Sequence, residues 1–278
     1  MSIKKDEHGK RWVEMEIVVP GTPEQVWQAV ATGPGYTACH TRTEIEERIG
    51  GTILFDLGPY GSSRGEVTIW EPLSRFGYVE REWSEGAPPV ETEVMVTSRP
   101  DGKCLFRMTH ALVAATDDWD ASLEGFETGW PGFFEVLRLY LAHFAGSLAA
   151  SFQAITSVEA PQLEVWKRLT DALGLAAANV GEERTIPEPE RFSGTVERVQ
   201  QSDRERYLLL RLTAPAPGVA LIGTYGMGDA TNASIILYLY GDDAATTADA
   251  AKEKWASWLD GLLNVHANSQ SAPTKSHQ

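Results

Sequence analysis

The sequence predicts an α+β protein made of two copies of one unit, each an antiparallel sheet closed by a long C-terminal helix. Three observations carry that expectation. Residues 44–112 read as short strand-like runs separated by Gly and Pro, leaving no room for the crossover helices that parallel neighbours need. Residues 123–144 and 244–265 carry apolar side chains at spacings of three and four, the period of a helix with one buried face. The order strand, short helix, strands, long helix occurs twice, and Val165-Trp166 echoes Val26-Trp27 at an offset of 139, which favours a repeated unit over one large domain.

The first element is a strand. Val13, Met15, Ile17 and Val19 alternate with Glu14 and Glu16, giving it one buried face, and it ends at Pro20-Gly21. Thr22, Pro23 and Gln25 then form a helix start, with Thr22 as N-cap, Pro23 at the first helical position and Gln25 at the capping-box position. That helix runs to about Thr32 and leads into a turn-rich stretch, Gly33-Pro34-Gly35. Strands are expected at Glu44–Arg48, Thr52–Leu57, Gly65–Trp70, Phe76–Trp83, Glu91–Ser98 and Lys103–Leu112, and a helix at Leu123–Phe144. Gly146–Ser151 reads as a hinge. Beyond it come a strand at Phe152–Val158, a helix opened by Pro161, strands at Arg191–Gln200, Arg206–Thr213, Val219–Tyr225 and Ser234–Tyr240, and a helix at Ala244–Val265. The expected domains are residues 10–147, a more divergent copy at 152–265, and a loose tail at 266–278 that is rich in Ser, Asn and Gln.

With 42% hydrophobic and 23% charged residues among 278, the composition is that of a folded globular protein. Lys plus Arg number 24 against 39 Asp plus Glu, a net charge of −15 that repels phosphate backbones and anionic lipid. Nucleic-acid and membrane partners are therefore not expected. The first ten residues are polar and the longest apolar stretches fall far short of a membrane span. Cys39 and Cys104 stand apart with no CxxC context, so a cytoplasmic protein without a disulfide framework or zinc site is expected.

Several stretches of the first half carry a resemblance. They are the opening strand with Pro20 and Val26-Trp27; Glu47-Arg48-Ile49-Gly50-Gly51 before a strand; Gly65-Glu66-Val67 and then Glu71-Pro72-Leu73-Ser74-Arg75; Trp83; His110; and Gly129-Trp130 with Leu137, Tyr140 and Leu141. In this order and spacing, residues 13–144 resemble the START-like, helix-grip superfamily (SRPBCC), specifically the family of the activator of the heat-shock-protein-90 ATPase. The resemblance implies an α+β fold of tandem helix-grip domains, each a curved antiparallel sheet wrapped around a long C-terminal helix. Residues 152–265 match it only in outline, lacking the Gly-Gly pair and placing Pro161 where Thr22 stands.

Familiar catalytic spellings fail on context. Gly61-Ser62-Ser63-Arg64-Gly65 spells GxSxG, but a nucleophile elbow needs a strand before it and a helix after it. The segment after Gly65 is strand-like, so a flexible loop is the better reading. The six histidines form no HxxxH or HExxH pair, and Asp117, Asp118 and Asp120 lack the glycine and terminal Glu of a calcium loop, reading instead as a solvated acidic loop. No metal or cofactor is expected.

The informative pattern is aromatic. On Lys103–Leu112 one parity holds Cys104, Phe106, Met108, His110 and Leu112, which should face inward. The resemblance sets Phe126, Trp130 and Phe133 of the long helix opposite that strand, across a cavity that the fold can leave. The candidate ligand-binding residues are therefore Phe106, Met108, His110, Phe126, Trp130 and Phe133. His110 could orient a ligand oxygen or transfer a proton, or be a hydrogen-bonded core residue. Trp27, Tyr36, His40, Tyr60, Tyr78 and Trp83 divide the same way between core and pocket. No catalytic set can be assembled from the sequence. Three functions stay open: binding of a small hydrophobic or amphipathic molecule, which leads; a chaperone-ATPase-activator-like interaction module; and a cyclase or hydrolase, for which a carboxylate beside His110 or His40 would speak.

Overall fold

The computed structural model describes residues 3–114, 116–202, 206–227 and 230–264. The expected tail, 266–278, lies outside the described residues. The fold is α+β, with two antiparallel sheets and a long helix at the end of each. The described residues fall into two compact units, divided at Ser151–Phe152, with Tyr240–Asp242 belonging to the first.

The first unit contains β1 (Lys4–Lys5), β2 (Lys10–Pro20), α1 (Pro23–Ala31), α2 (Gly33–Cys39), β3 (Thr43–Ile45), β4 (Thr52–Asp56), β5 (Ser62–Glu71), β6 (Arg75–Glu80), β7 (Val90–Ser98), β8 (Lys103–Val113) and α3 (Asp120–His143). Its sheet runs β1-β2-β8-β7-β6-β5-β4-β3, so the first long strand lies beside the last. Antiparallel register pairs Met15 with Met108 and Val13 with His110, and sets Val94 and Thr92 on the other side of the same two residues. Alternation along β2 buries Arg11, Val13, Met15 and Val19, as the period-2 pattern predicts.

α1 begins as the sequence reads. The Thr22 hydroxyl accepts from the Gln25 N–H at 3.4 Å, and the Gln25 side chain accepts from the Thr22 N–H at 2.9 Å. The expected turn at 33–35 is instead the first turn of α2. Thr32 caps it by accepting from the Gly35 N–H at 3.1 Å, and Pro34 sits in its first turn, where a missing N–H costs nothing. The expected loop at 61–65 is also corrected, because β5 starts at Ser62. The acidic stretch is not wholly solvated: Asp120 opens α3 and binds the buried guanidinium of Arg11 through two hydrogen bonds, one of them 2.6 Å.

The second unit contains β9 (Ala149–Val158), α4 (Gln162–Ala172), β10 (Glu183–Ile186), β11 (Phe192–Gln201), β12 (Arg206–Ala214), β13 (Gly218–Met227), β14 (Ala230–Tyr240) and α5 (Ala244–Asn264). β9 begins inside the expected hinge, and β10 is a strand that the sequence pattern did not reveal. The sheet order is β10-β11-β12-β13-β14-β9. α5 buries Ala248, Ala251, Trp255, Leu259 and Leu263, and Trp255 meets Phe192 of β11 at 5.2 Å between ring centroids. No helix among the described residues is long and apolar enough to cross a membrane.

Candidate functional site

On β8 the inward parity is buried throughout: Cys104, Phe106, Met108, His110 and Leu112. His110 is 4% exposed. Its Nδ1 lies 2.9 Å from the Thr92 hydroxyl, contributed by the facing position on β7. Its Nε2 is buried and makes no hydrogen bond. Burial, and to a lesser degree the neighbouring His40, lowers the His110 pKa to about 3, so the imidazole is neutral at ordinary pH.

α3 supplies the opposing surface. Phe126 packs on the His110 ring at 4.7 Å, and Trp130 lies nearly parallel to it at 5.6 Å and 25°. Phe133 and Phe134 come one turn later, both in contact with Trp130, and Phe134 meets Phe106 edge-on at 5.2 Å. The six candidate residues thus gather on one side of the first sheet. His40 joins them. It ends α2, donating its backbone N–H to the Tyr36 carbonyl at 2.8 Å. Its ring stacks on Trp130 at 4.6 Å and 20° and meets Phe133 at 4.7 Å. Burial lowers its pKa to about 3 as well. Of the other weighed aromatics, Trp27, Tyr36 and Tyr78 are buried, Tyr60 is exposed, and Trp83 packs on Phe126 and Trp119.

These rings nearly fill the space expected to be a cavity. A free volume of about 20 Å3 remains, bordered by Tyr36, His40, Phe106, Met108, Trp130 and Phe133 among others. That is room for about one water molecule. A larger hollow of about 350 Å3 opens at Lys10, Arg81, Glu91, Glu93 and Thr109, but it is lined by charges that are already paired: Lys10 with Glu91 and Glu93 with Arg75, each at 2.8 Å. Size alone would choose the hollow. The aromatic cluster is the better candidate, because it combines apolar walls with a buried polar atom that has no partner.

Beside the cluster lies a second polar group. Glu80 accepts a hydrogen bond from Ser63, and burial holds its carboxyl above the usual carboxylate range. Burial also raises the Tyr36 and Tyr78 hydroxyls, which influence each other and feel Glu80. Ser63 is therefore a strand residue bound to a carboxyl group and not a nucleophile on a strand-to-helix turn. Burial and the other imidazole perturb His110; no carboxylate is among the causes. No cluster of metal-ligating side chains occurs among the described residues.

The sequence pattern missed His40 as a partner of Trp130, because α2 brings it there and α2 reads as a turn. The Thr32 cap and Pro34 were the available signal.

No family model matches the chain, and no curated protein matches it. Solved structures of similar fold include the di-domain ARO/CYC BexL from the BE-7585A biosynthetic pathway, 15% identical, covering 93% of this chain and 95% of that one with a TM-score of 0.45. DynU16, described as a putative protein in the dynemicin biosynthetic locus, is 17% identical over 93% of this chain and 98% of that one, TM-score 0.42. Aha1 from Colwellia psychrerythraea is 22% identical over 49% of this chain and 98% of that one, TM-score 0.40. At these identities and scores the likeness carries no inference about function.

Proposed function

We propose that residues 10–147 form an SRPBCC-type ligand-binding domain, akin to the activator of the heat-shock-protein-90 ATPase, and that residues 152–265 are its divergent copy. The first domain holds a small hydrophobic or amphipathic molecule between β8 and α3, at the site formed by Phe106, Met108, His110, Phe126, Trp130 and Phe133. One observation carries this reading: His110 Nε2 is buried among aromatic rings without a hydrogen-bond partner. Leaving such a group unsatisfied costs about 1–3 kcal/mol, and a ligand atom that meets it removes that cost. A purely structural histidine would gain by having both nitrogens bonded.

The test is titration of the whole protein with N-phenyl-1-naphthylamine, an uncharged fluorescent probe, beside native mass spectrometry of co-purified small molecules. Saturable one-to-one binding that weakens about tenfold in His110→Phe is expected. No saturable binding by folded protein would overturn the reading. A cyclase or hydrolase role would call for a carboxylate acting on His110 or His40, and the second imidazole acts on His110 instead. The chaperone reading is tested separately by ATPase rate, where no stimulation is expected.

A further inference from the structure

We propose that the Trp130 indole occupies the ligand's own place, and that the site exchanges it for an uncharged, flat aromatic molecule with one hydrogen-bonding atom at its edge. This rests on ligand binding between β8 and α3 and goes beyond it by naming what the site accepts and what must leave.

Space is the first constraint. With about 20 Å3 free, no molecule larger than water enters unless a side chain departs. Trp130 is the side chain in the way, touching His40, His110, Phe133 and Phe134. It is only partly buried, unlike Phe106 and Met108 at 2% exposure, so it can move outward without crossing the core.

Shape and polarity define the replacement. Two imidazoles lie within 25° of the indole plane, so whatever takes its place meets flat rings arranged for stacking. The side chains bordering the space include no Lys, Arg, Asp or Glu, and both imidazoles are neutral. A carboxylate or phosphate would be desolvated there with no opposite charge to meet it. Trp130 lies over the His110 ring, so moving the indole away uncovers Nε2, which makes no hydrogen bond while Nδ1 is engaged by Thr92.

The helix carrying Trp130 is weak where it must yield. Pro131 comes directly after it, removing the backbone N–H that would bond back one turn and crowding the carbonyl there. Trp119 caps the helix without a side-chain hydrogen bond. A Cβ added at Gly125 or Gly129 would meet nothing within 4 Å, so packing does not require glycine there and both positions cost helix stability relative to alanine. The Arg11–Asp120 pair and the fully buried Leu123 hold the start of the helix, so the give lies nearer Gly129 and Pro131.

Calorimetry of the full chain with 2-naphthol and 2-naphthoate at pH 7.5 tests this. The wild type should bind 2-naphthol and not 2-naphthoate. Trp130→Ala should bind 2-naphthol at least tenfold more tightly, because the competing indole is gone, and free indole should raise the melting temperature of this variant. Adding His110→Phe should abolish any preference for 2-naphthol over naphthalene. Should Trp130→Ala fail to fold, Trp130→Leu frees part of the same space and is expected to show the same order with a smaller gain. If the wild type binds 2-naphthol and folded Trp130 variants bind it equally or less tightly, the exchange is wrong and the binding site stands. Binding of 2-naphthoate as tight as that of 2-naphthol would also overturn the exchange. If no folded form binds either probe, the site itself falls.

Discussion

In the first unit the space between β8 and α3 is filled by rings: Phe106, His110, Phe126, Trp130, Phe133 and Phe134, with His40 from α2. The buried interior of the second unit is mainly aliphatic, with Leu169, Leu173, Leu210, Ile222, Ile235 and Leu237 beside Trp255 and Phe192. Branched aliphatic side chains interdigitate to crystal-like density without directional demands. Aromatic rings pack edge to face or offset, and the two imidazoles add polar atoms that need partners. The two sheets and their helices therefore enclose two kinds of interior, one mainly aliphatic and the other aromatic with two buried imidazoles. The described part of the second unit contains no histidine.

The largest expected effect tests the mainly aliphatic interior. Trp255 is fully buried against Phe192, and Trp255→Ala should cost about 3–5 kcal/mol of stability, measured by urea unfolding. Probe binding at the first unit should persist under conditions where the variant is folded. Trp130→Ala should cost clearly less, because Trp130 is partly exposed on a helix already interrupted by Pro131. Equal costs would erase the distinction between the two tryptophans.

The histidines make the first interior sensitive to acid. His40 and His110 have folded-state pKa values of about 3 against an ordinary value of 6.5. Between these limits the unfolded chain binds more protons, so stability is fully present above about pH 6.5 and is lost as pH falls toward 3. At pH 5 the loss is about 2 kcal/mol per histidine. Urea midpoints at pH 7 and pH 5 measure it, and His110→Phe should remove about half of the difference. An unchanged pH dependence in that variant would show that His110 is not held neutral by its surroundings.

Thr92 separates the two nitrogens of His110. Thr92→Val keeps the shape but leaves Nδ1 as unsatisfied as Nε2, at a cost on the order of 1.5 kcal/mol. Thr92→Ser should restore most of it. The same pair of unfolding curves in saturating N-phenyl-1-naphthylamine would show whether the probe still finds Nε2 once Nδ1 is free to compete.

Much of this difference was legible in the sequence. Alternation along 103–112 gave the inward parity of β8, and the family resemblance set Phe126, Trp130 and Phe133 of α3 opposite it. Tightness was not legible: a pattern tells which side chains face one another, not whether 20 Å3 or several hundred remain between them. His40 stood among the residues divided between core and pocket, but its place against Trp130 stayed hidden because seven residues of α2, opening Gly-Pro-Gly, are too short for a helical period to register. The Glu80–Ser63 contact joins neighbouring strands, and only the register of β5 with β6 brings it about.

The smallest expected effect compares the helices that open the two units. α1 has a full capping box from Thr22 and Gln25, whereas α4 starts at Pro161 with no side-chain cap. Thr22→Ala should cost about 1 kcal/mol. In α4 the third helical position is Glu164, the residue type a capping box needs there, so Pro161→Thr supplies the missing half of the motif. Its gain should be smaller than the loss in α1, because removing proline also frees the unfolded chain, a cost of about 0.4–1 kcal/mol. Thermal unfolding of the two variants would show a clear loss for the first and a change within about 0.5 kcal/mol of zero for the second. A loss at Pro161 as large as that at Thr22 would mean that the rigid proline matters more to the start of α4 than the cap it displaces, and that the two units begin their helices by different physical means.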